Sequence, residues 1–143
     1  MISFANFSFL IAALVLIQGA ESKIFTRCEL AKELVKHGIP RSDLANWVCL
    51  VEAESSRNTG KIGGPNRNGS YDHGLFQIND KYWCSVGHKG KDCNVKCEDL
   101  KTNDITASVA CAKKVHKRHG FGAWYGWKDK CKGKTLPNVA SCF

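Results

Sequence analysis

The chain has 143 residues and a formal net charge of +8 at pH 7, enough length for one compact domain. A basic balance favours contact with acidic surfaces such as bacterial wall polymers, anionic lipids or nucleic acids. There is no basic-aromatic RNA motif and no zinc-finger spacing, which argues against nucleic acid as a partner.

The first segment reads as a secretory signal rather than as part of the fold. Phe7 to Ile17 is almost unbroken apolar sequence, and Ala20-Glu21-Ser22 offers the small residues that a signal peptidase reads. The run is too short to span a bilayer comfortably. We therefore expect a signal peptide over 1–22, a cut between Ser22 and Lys23, and an extracellular domain over 23–143. The removed segment carries Glu21 and no Lys or Arg, so the amino terminus alone supplies its positive charge. The mature charge rises from +8 to +9.

After the cut, Thr26-Arg27-Cys28-Glu29 is a capping box that opens a helix with apolar positions at 30, 31, 34 and 35 and a stop at Gly38. A second helix is expected from Ser42 or Asp43, with Leu44, Trp47, Val48 and Val51 on one stripe. From Gly60 to about Asn79 the helical period disappears. Glycines, asparagines and Pro65 break this stretch into short strands, and Asn68-Gly69 is a hairpin signal. Helical period returns at Asp104, with Ile105, Val109, Ala112 and Val115 spaced for one buried face, and an aromatic run from Phe121 to Trp127 follows. The pattern predicts an α+β fold: a helical lobe drawn from both ends of the chain and a small antiparallel sheet lobe inserted between them. Two lobes side by side leave a cleft that a long polymer fits.

All eight cysteines, at 28, 49, 84, 93, 97, 111, 131 and 142, follow the signal, and an even count in a small secreted chain implies four disulfides. Spacing alone does not settle their pairing. Zinc is disfavoured because the nearest pair, Cys93 and Cys97, is not matched by a second one.

Two carboxylates stand in dissimilar settings. Glu54 ends the apolar run that begins at Trp47, and seven residues of helix return it to the buried stripe. Glu52 points roughly 200° away and is expected in solvent. Burial and the negative end of the helix both disfavour a charged Glu54, which makes it a candidate general acid. A glutamate paired with a lysine at a helix end fits the same residues. Asp72 lies eighteen residues on, among Asn66, Asn68, Ser70, Gln77 and Asn79, a setting for an ionised carboxylate; an ordinary turn aspartate is the plain alternative. An acid in an apolar wall facing an ionised partner in a polar one is what glycoside hydrolysis needs. Four tryptophans and the Tyr82-Trp83 pair add flat faces for sugar rings. Trp47 and Trp127 are expected in the core, and Trp124 is expected as a cleft wall. Asn68-Gly69-Ser70 also matches an N-glycosylation acceptor, at the edge of that cleft.

Taken together, Asn46-Trp47-Val48-Cys49, Glu54-Ser55, Asn66-Arg67-Asn68, Gly74 to Asn79, Tyr82-Trp83-Cys84, Asp104 to Ala107, Cys111 to Lys114 and Ala123-Trp124 resemble the c-type lysozymes, especially their arthropod branch. The resemblance runs from Lys23 to Cys142 and implies a two-lobe lysozyme fold. It also implies a retaining peptidoglycan hydrolase with Glu54 as general acid and base and Asp72 as nucleophile or charge stabiliser. It places Asn79, Trp83 and Ala123 where an N-acetyl group is read, Gln77 and Trp124 beside the catalytic pair, and Tyr82 at an outer stacking position. The implied disulfides are Cys28–Cys142, Cys49–Cys131, Cys84–Cys97 and Cys93–Cys111. No cofactor is implied, and the expected state is a monomer.

Three departures from the family pattern stand out. His73 replaces the tyrosine common after the catalytic aspartate; strand alternation turns it away from the Asp72 carboxylate, but it adds a titratable charge near the cleft. The stretch Lys117-Arg118-His119-Gly120 is basic where vertebrate relatives bind outer sugars with an aspartate. Glu98, Leu100, Asn103 and Asp104 supply too few carboxylates for the calcium site of some relatives, so no metal is expected. Three functions fit: an active antibacterial muramidase, a silent carbohydrate-binding member, and a cationic antimicrobial acting on anionic bacterial surfaces. Both carboxylates favour the first, and the basic balance favours defence over digestion.

Overall fold

The computed structural model describes residues 21–143, so the expected leader lies, as far as Ala20, outside the described residues. Among the described residues no helix is long and apolar enough to cross a membrane. Helix α1 (Arg27–Lys36) opens on the expected capping box: the Thr26 hydroxyl accepts from Glu29 N–H, and the Glu29 carboxylate accepts from Thr26 N–H. It buries Leu30, Ala31 and Leu34 and ends where Gly38 turns to φ +85°. Helix α2 (Arg41–Ser55) starts slightly earlier than the Ser42 or Asp43 read from the sequence. Extended Pro40 stands at its N-cap, and the Pro40 carbonyl accepts from Asp43 N–H, so no side-chain cap is used. Helix α3 (Thr106–His119) begins where the Asp104 carboxylate accepts from both the N–H and the hydroxyl of Thr106. It buries Val109, Ala112 and Val115. The six-residue α4 (Tyr125–Lys130) follows and packs on α2.

Three two-residue strands, β1 (Ile62–Gly63), β2 (Asp72–His73) and β3 (Ile78–Asn79), form an antiparallel sheet in the order β1-β2-β3. Asp72 pairs with Gly63 on one side and Asn79 on the other. Asn68-Gly69 does form a turn: Gly69 N–H donates to the Asn66 carbonyl at φ +83°. That turn is the tip of a loop over 64–71 rather than a two-residue hairpin. Gly74 is required where the sheet meets the turn after Cys97, because a Cβ there would lie 1.8 Å from the Leu100 carbonyl oxygen.

So small a sheet has little core of its own. Leu75, Phe76 and Ile78 therefore join the apolar cluster of α1, α2 and α3, which makes the two lobes one packed body. The cysteines pair as Cys28–Cys142, Cys49–Cys131, Cys84–Cys97 and Cys93–Cys111. The first two tie the chain's ends into the helical lobe. The third closes a short loop beside the sheet, and the fourth ties that loop to α3.

Candidate active site

Glu54 sits in the last turn of α2, where α4 packs against it. Its Oε1 accepts a 2.9 Å bond from the Gly126 N–H at the start of α4, and a Cβ on residue 126 would lie only 2.6 Å from that oxygen. The side chain is thus held in a notch that only glycine leaves open. Burial pushes the Glu54 carboxyl above the ordinary glutamate range; the Gly126 bond opposes this, the Asp72 charge adds to it, and Lys61 opposes it weakly. Lys61 is not its ion-pair partner. The ammonium donates to the Glu54 backbone carbonyl at 2.6 Å and so caps the helix end. Glu52, expected in solvent, instead bridges two guanidinium groups, Arg27 at 2.9 Å and Arg57 at 3.2 Å. The helix thereby uses one carboxylate as a structural tie and leaves the other out of any ion pair.

Asp72, on the central strand, has the opposite environment. Asn66 Nδ2 donates to Oδ2 and Asn79 Nδ2 donates to Oδ1, both at 3.1 Å. Asn79 is fixed in turn, since its amide also donates to Ser70 Oγ and its oxygen accepts from Lys81 N–H. A carboxylate with an amide on each oxygen is oriented before any substrate arrives.

Asn79 also joins two hollows. One, of about 390 Å³, is lined by Asn79, Trp83, Ala123 and Trp124 together with Ile78, Val115 and His119. The other, of similar size, is lined by Asn66, Arg67, Asn68, Ser70 and Asn79. Neither is lined by Glu54 or Asp72, and Asn79, which holds the Asp72 carboxylate, is the residue they share. The three residues expected to read an N-acetyl group, Asn79, Trp83 and Ala123, thus line a single hollow. Tyr82 stands outside it with its ring largely exposed. Gln77 is held at φ +49°, and its amide donates to the Lys61 and Gly74 carbonyls, so it braces β1 against the turn after β2.

The tryptophans divide between core and wall. Trp47 is core, edge-on to Phe76 and to Trp124. Trp124 is both wall and core: it borders the hollow yet is only 5% exposed, and its indole N–H donates to the Phe76 carbonyl at 2.8 Å. Trp127 is partly buried, stacked on Phe121, with its N–H on Asn46. Trp83 carries the basic stretch. The Arg118 guanidinium lies 5.1 Å from its ring centre while pairing with Asp92, and His119 meets the ring edge-on.

His73 is buried on the far face of β2. It faces away from Asp72 and is 5% exposed; its Nε2 lies 3.0 Å from the Asp80 carboxylate, and its Nδ1 has no partner. Among the described residues His73, Cys84 and Cys97 form the one trio close enough to suggest a metal site, but both sulfurs are committed to a disulfide. The acidic groups near the start of α3 are engaged locally, Glu98 with the Gly87 N–H and Asp104 with Thr106.

Sequence reasoning missed Gly126 and Asp80. Gly126 was legible only as a small residue near Trp124, and nothing local tied it to a helix end seventy-two residues away.

The chain matches the model of the C-type lysozyme/alpha-lactalbumin family over residues 23–142. It is 61% identical to a lysozyme of Bombyx mori over 132 residues, covering 92% of this chain and 95% of that protein. It is 55% identical to lysozyme c-1 of Anopheles gambiae over 124 residues, covering 87% and 88%. Among solved structures, a canine milk lysozyme superposes with a TM-score of 0.76 at 41% identity, covering 85% of this chain and 99% of that one. A family match across the whole folded part, on a fold and cleft of this form, means that the chain belongs to the C-type lysozyme/alpha-lactalbumin family.

Proposed function

We propose that this chain, a glycoside hydrolase of the lysozyme kind, cleaves the β-1,4 bond between N-acetylmuramic acid and N-acetylglucosamine in bacterial peptidoglycan. The observation that carries the reading is the opposed setting of two carboxyl groups. Glu54 is half-buried, in no ion pair and pushed toward its protonated form, while Asp72 is held by an amide on each oxygen. Protonated Glu54 gives its proton to the glycosidic oxygen as the bond to the anomeric carbon breaks. Asp72 faces the positive charge that develops there and either attacks the carbon or stabilises the oxocarbenium ion. Glu54, now a carboxylate, takes a proton from the water that completes hydrolysis, which leaves the anomeric configuration retained. Two carboxyl groups suffice for this chemistry, so no cofactor or metal is invoked.

The hollow lined by Asn79, Trp83 and Ala123 reads the N-acetyl group of the sugar before the scissile bond, and the exposed Tyr82 stacks on one further out. Cleavage of the leader after Ser22 delivers a secreted monomer of charge +9 to an anionic cell wall, where it acts in antibacterial defence. The test is turbidity clearance of a Gram-positive cell-wall suspension by the 23–143 protein beside Glu54→Gln and Asp72→Asn. Clearance by the parent and near-total loss in Glu54→Gln is expected. A folded, disulfide-intact parent that clears nothing from acid to neutral pH would overturn the enzyme reading in favour of carbohydrate binding. The charge also suits direct action on membranes, and bacterial killing retained by Glu54→Gln would reveal it.

A further inference from the structure

The Asp80 carboxylate grips the strand on both sides of Asp72. Its Oδ1 accepts from the Tyr71 N–H at 3.1 Å, and its Oδ2 meets His73 Nε2 at 3.0 Å. The Asp80 N–H donates in turn to the Tyr71 carbonyl at 3.0 Å. In a regular antiparallel ladder residue 80 would return that bond from its own carbonyl. Here the side chain takes that place, and the Asp80 carbonyl accepts from Lys91 instead. The three contacts fall on the residues immediately before and after Asp72, and Asp80 itself follows Asn79, which holds the Asp72 carboxylate.

The need for such a grip follows from the size of the sheet. Strand β2 has two residues, so ordinary ladder bonds fix it at only a few points. The His73 ring is buried with nothing on Nδ1, so Asp80 is its single polar contact, and Glu98 and Lys91 are the other charges nearby. Burial alone would raise the Asp80 carboxyl, yet the bonds from His73 and Tyr71 hold it below the usual aspartate range. The carboxylate therefore stays ionised to lower pH than an ordinary aspartate.

We propose that Asp80, with His73 as its counterpart, is a positioning clamp that fixes the Asp72 carboxylate for the reaction. This rests on the functional reading above. Neither residue lines either hollow of the groove, so the clamp acts on turnover and not on sugar binding.

The experiment measures kcat and KM on soluble, uncrosslinked peptidoglycan strands for the parent, Asp80→Ala, Asp80→Asn and His73→Phe. A fifth protein, Val109→Ala, controls for stability, because Val109 is buried in α3 and lines neither hollow. Asp80→Ala is expected to lose about tenfold in kcat with KM changed less than about twofold. Asp80→Asn keeps an acceptor for Tyr71 and a donor for His73, and should recover most of that loss. His73→Phe removes one arm and should fall between. Val109→Ala should lower the unfolding temperature while leaving kcat unchanged at 25 °C. Parent-like kcat in both Asp80→Ala and His73→Phe overturns the clamp. So does a kcat loss that Val109→Ala reproduces at equal stability. Should Asp80→Ala fail to fold, His73→Phe decides by the same comparison. A parent without activity overturns the functional reading itself, and the clamp with it.

Discussion

Gly126→Ala separates the demands of stability from those of catalysis at one atom. The added Cβ would stand 2.6 Å from Glu54 Oε1, 3.1 Å from its Cδ and 3.3 Å from the Ala53 Cβ. The first two atoms belong to the far end of a flexible side chain, so the carboxyl swings aside and the backbone is spared. The move needed is about half an ångström or more, and it breaks the bond from Gly126 N–H. Stability should therefore stay within about 1 kcal/mol of the parent, because alanine in a helix regains roughly what the lost bond gave. Catalysis should suffer far more: displacing a reacting group by about 1 Å costs on the order of a hundredfold, so a loss of ten- to a hundredfold in kcat is expected. The pH profile carries a second signature. In the proposed mechanism Glu54 works in its protonated form, so activity is expected to fall as pH rises through its pKa. The Gly126 N–H favours the carboxylate, so its loss raises that pKa further and moves the basic limb of kcat/KM to higher pH. The assay is a pH series on soluble peptidoglycan strands beside a urea titration. Full parental kcat would refute the notch, and a rate loss with an unmoved basic limb would refute the role given to the N–H bond.

Glu54→Gln should be stabilising as well as inactive. The folded state raises this carboxyl above its unfolded value, so the folded protein binds the extra proton between the two. Stability of the parent therefore falls as pH rises through that window, from about 4.5 upward, and the glutamine variant escapes this. Thermal unfolding at pH 4 and pH 7 should show a difference in the variant's favour that grows with pH; a constant difference would contradict the raised pKa. Trp124→Phe should cost about 3 kcal/mol in urea unfolding, from the unmet Phe76 carbonyl and the space the smaller ring leaves. A cost under about 1 kcal/mol would mean that the indole bond contributes little.

The helical lobe was legible because its signals are local. The capping box at Thr26, the buried stripe of α2 and the glycine stop at Gly38 each lie within a few residues of what they determine. The contrast between Glu54 and Asp72 was legible for the same reason, since helix phase buried one and a run of amides surrounded the other. What failed depended on partners brought from elsewhere. Glu52 was placed in solvent by helix phase alone, but Arg27 and Arg57 reach it from other segments. Trp124 does border the hollow, as its small flanking residues suggest, but they give no sign of the Phe76 carbonyl, forty-eight residues away, that takes its indole N–H. Strand alternation turned His73 from the Asp72 carboxylate, but alternation says nothing of what waits on the far side. The far side holds Asp80 and the Cys84–Cys97 disulfide, and the His73 ring is buried against both.

The two carboxyls are tuned by separate parts of the molecule. Glu54 takes its environment from the contact of α4 with the end of α2, a contact that the Cys49–Cys131 disulfide also ties together. Asp72 takes its orientation from the 64–71 loop, Asn79 and the Asp80 grip, all within the sheet lobe. Changes in α4 can therefore retune the acid with Asp72's own hydrogen bonds left intact, and changes in the sheet lobe can reposition Asp72 while the Gly126 notch stays as it is. That separation of supports suits a scaffold in which two like groups are proposed to play unlike parts, with the Asp72 charge still acting on Glu54.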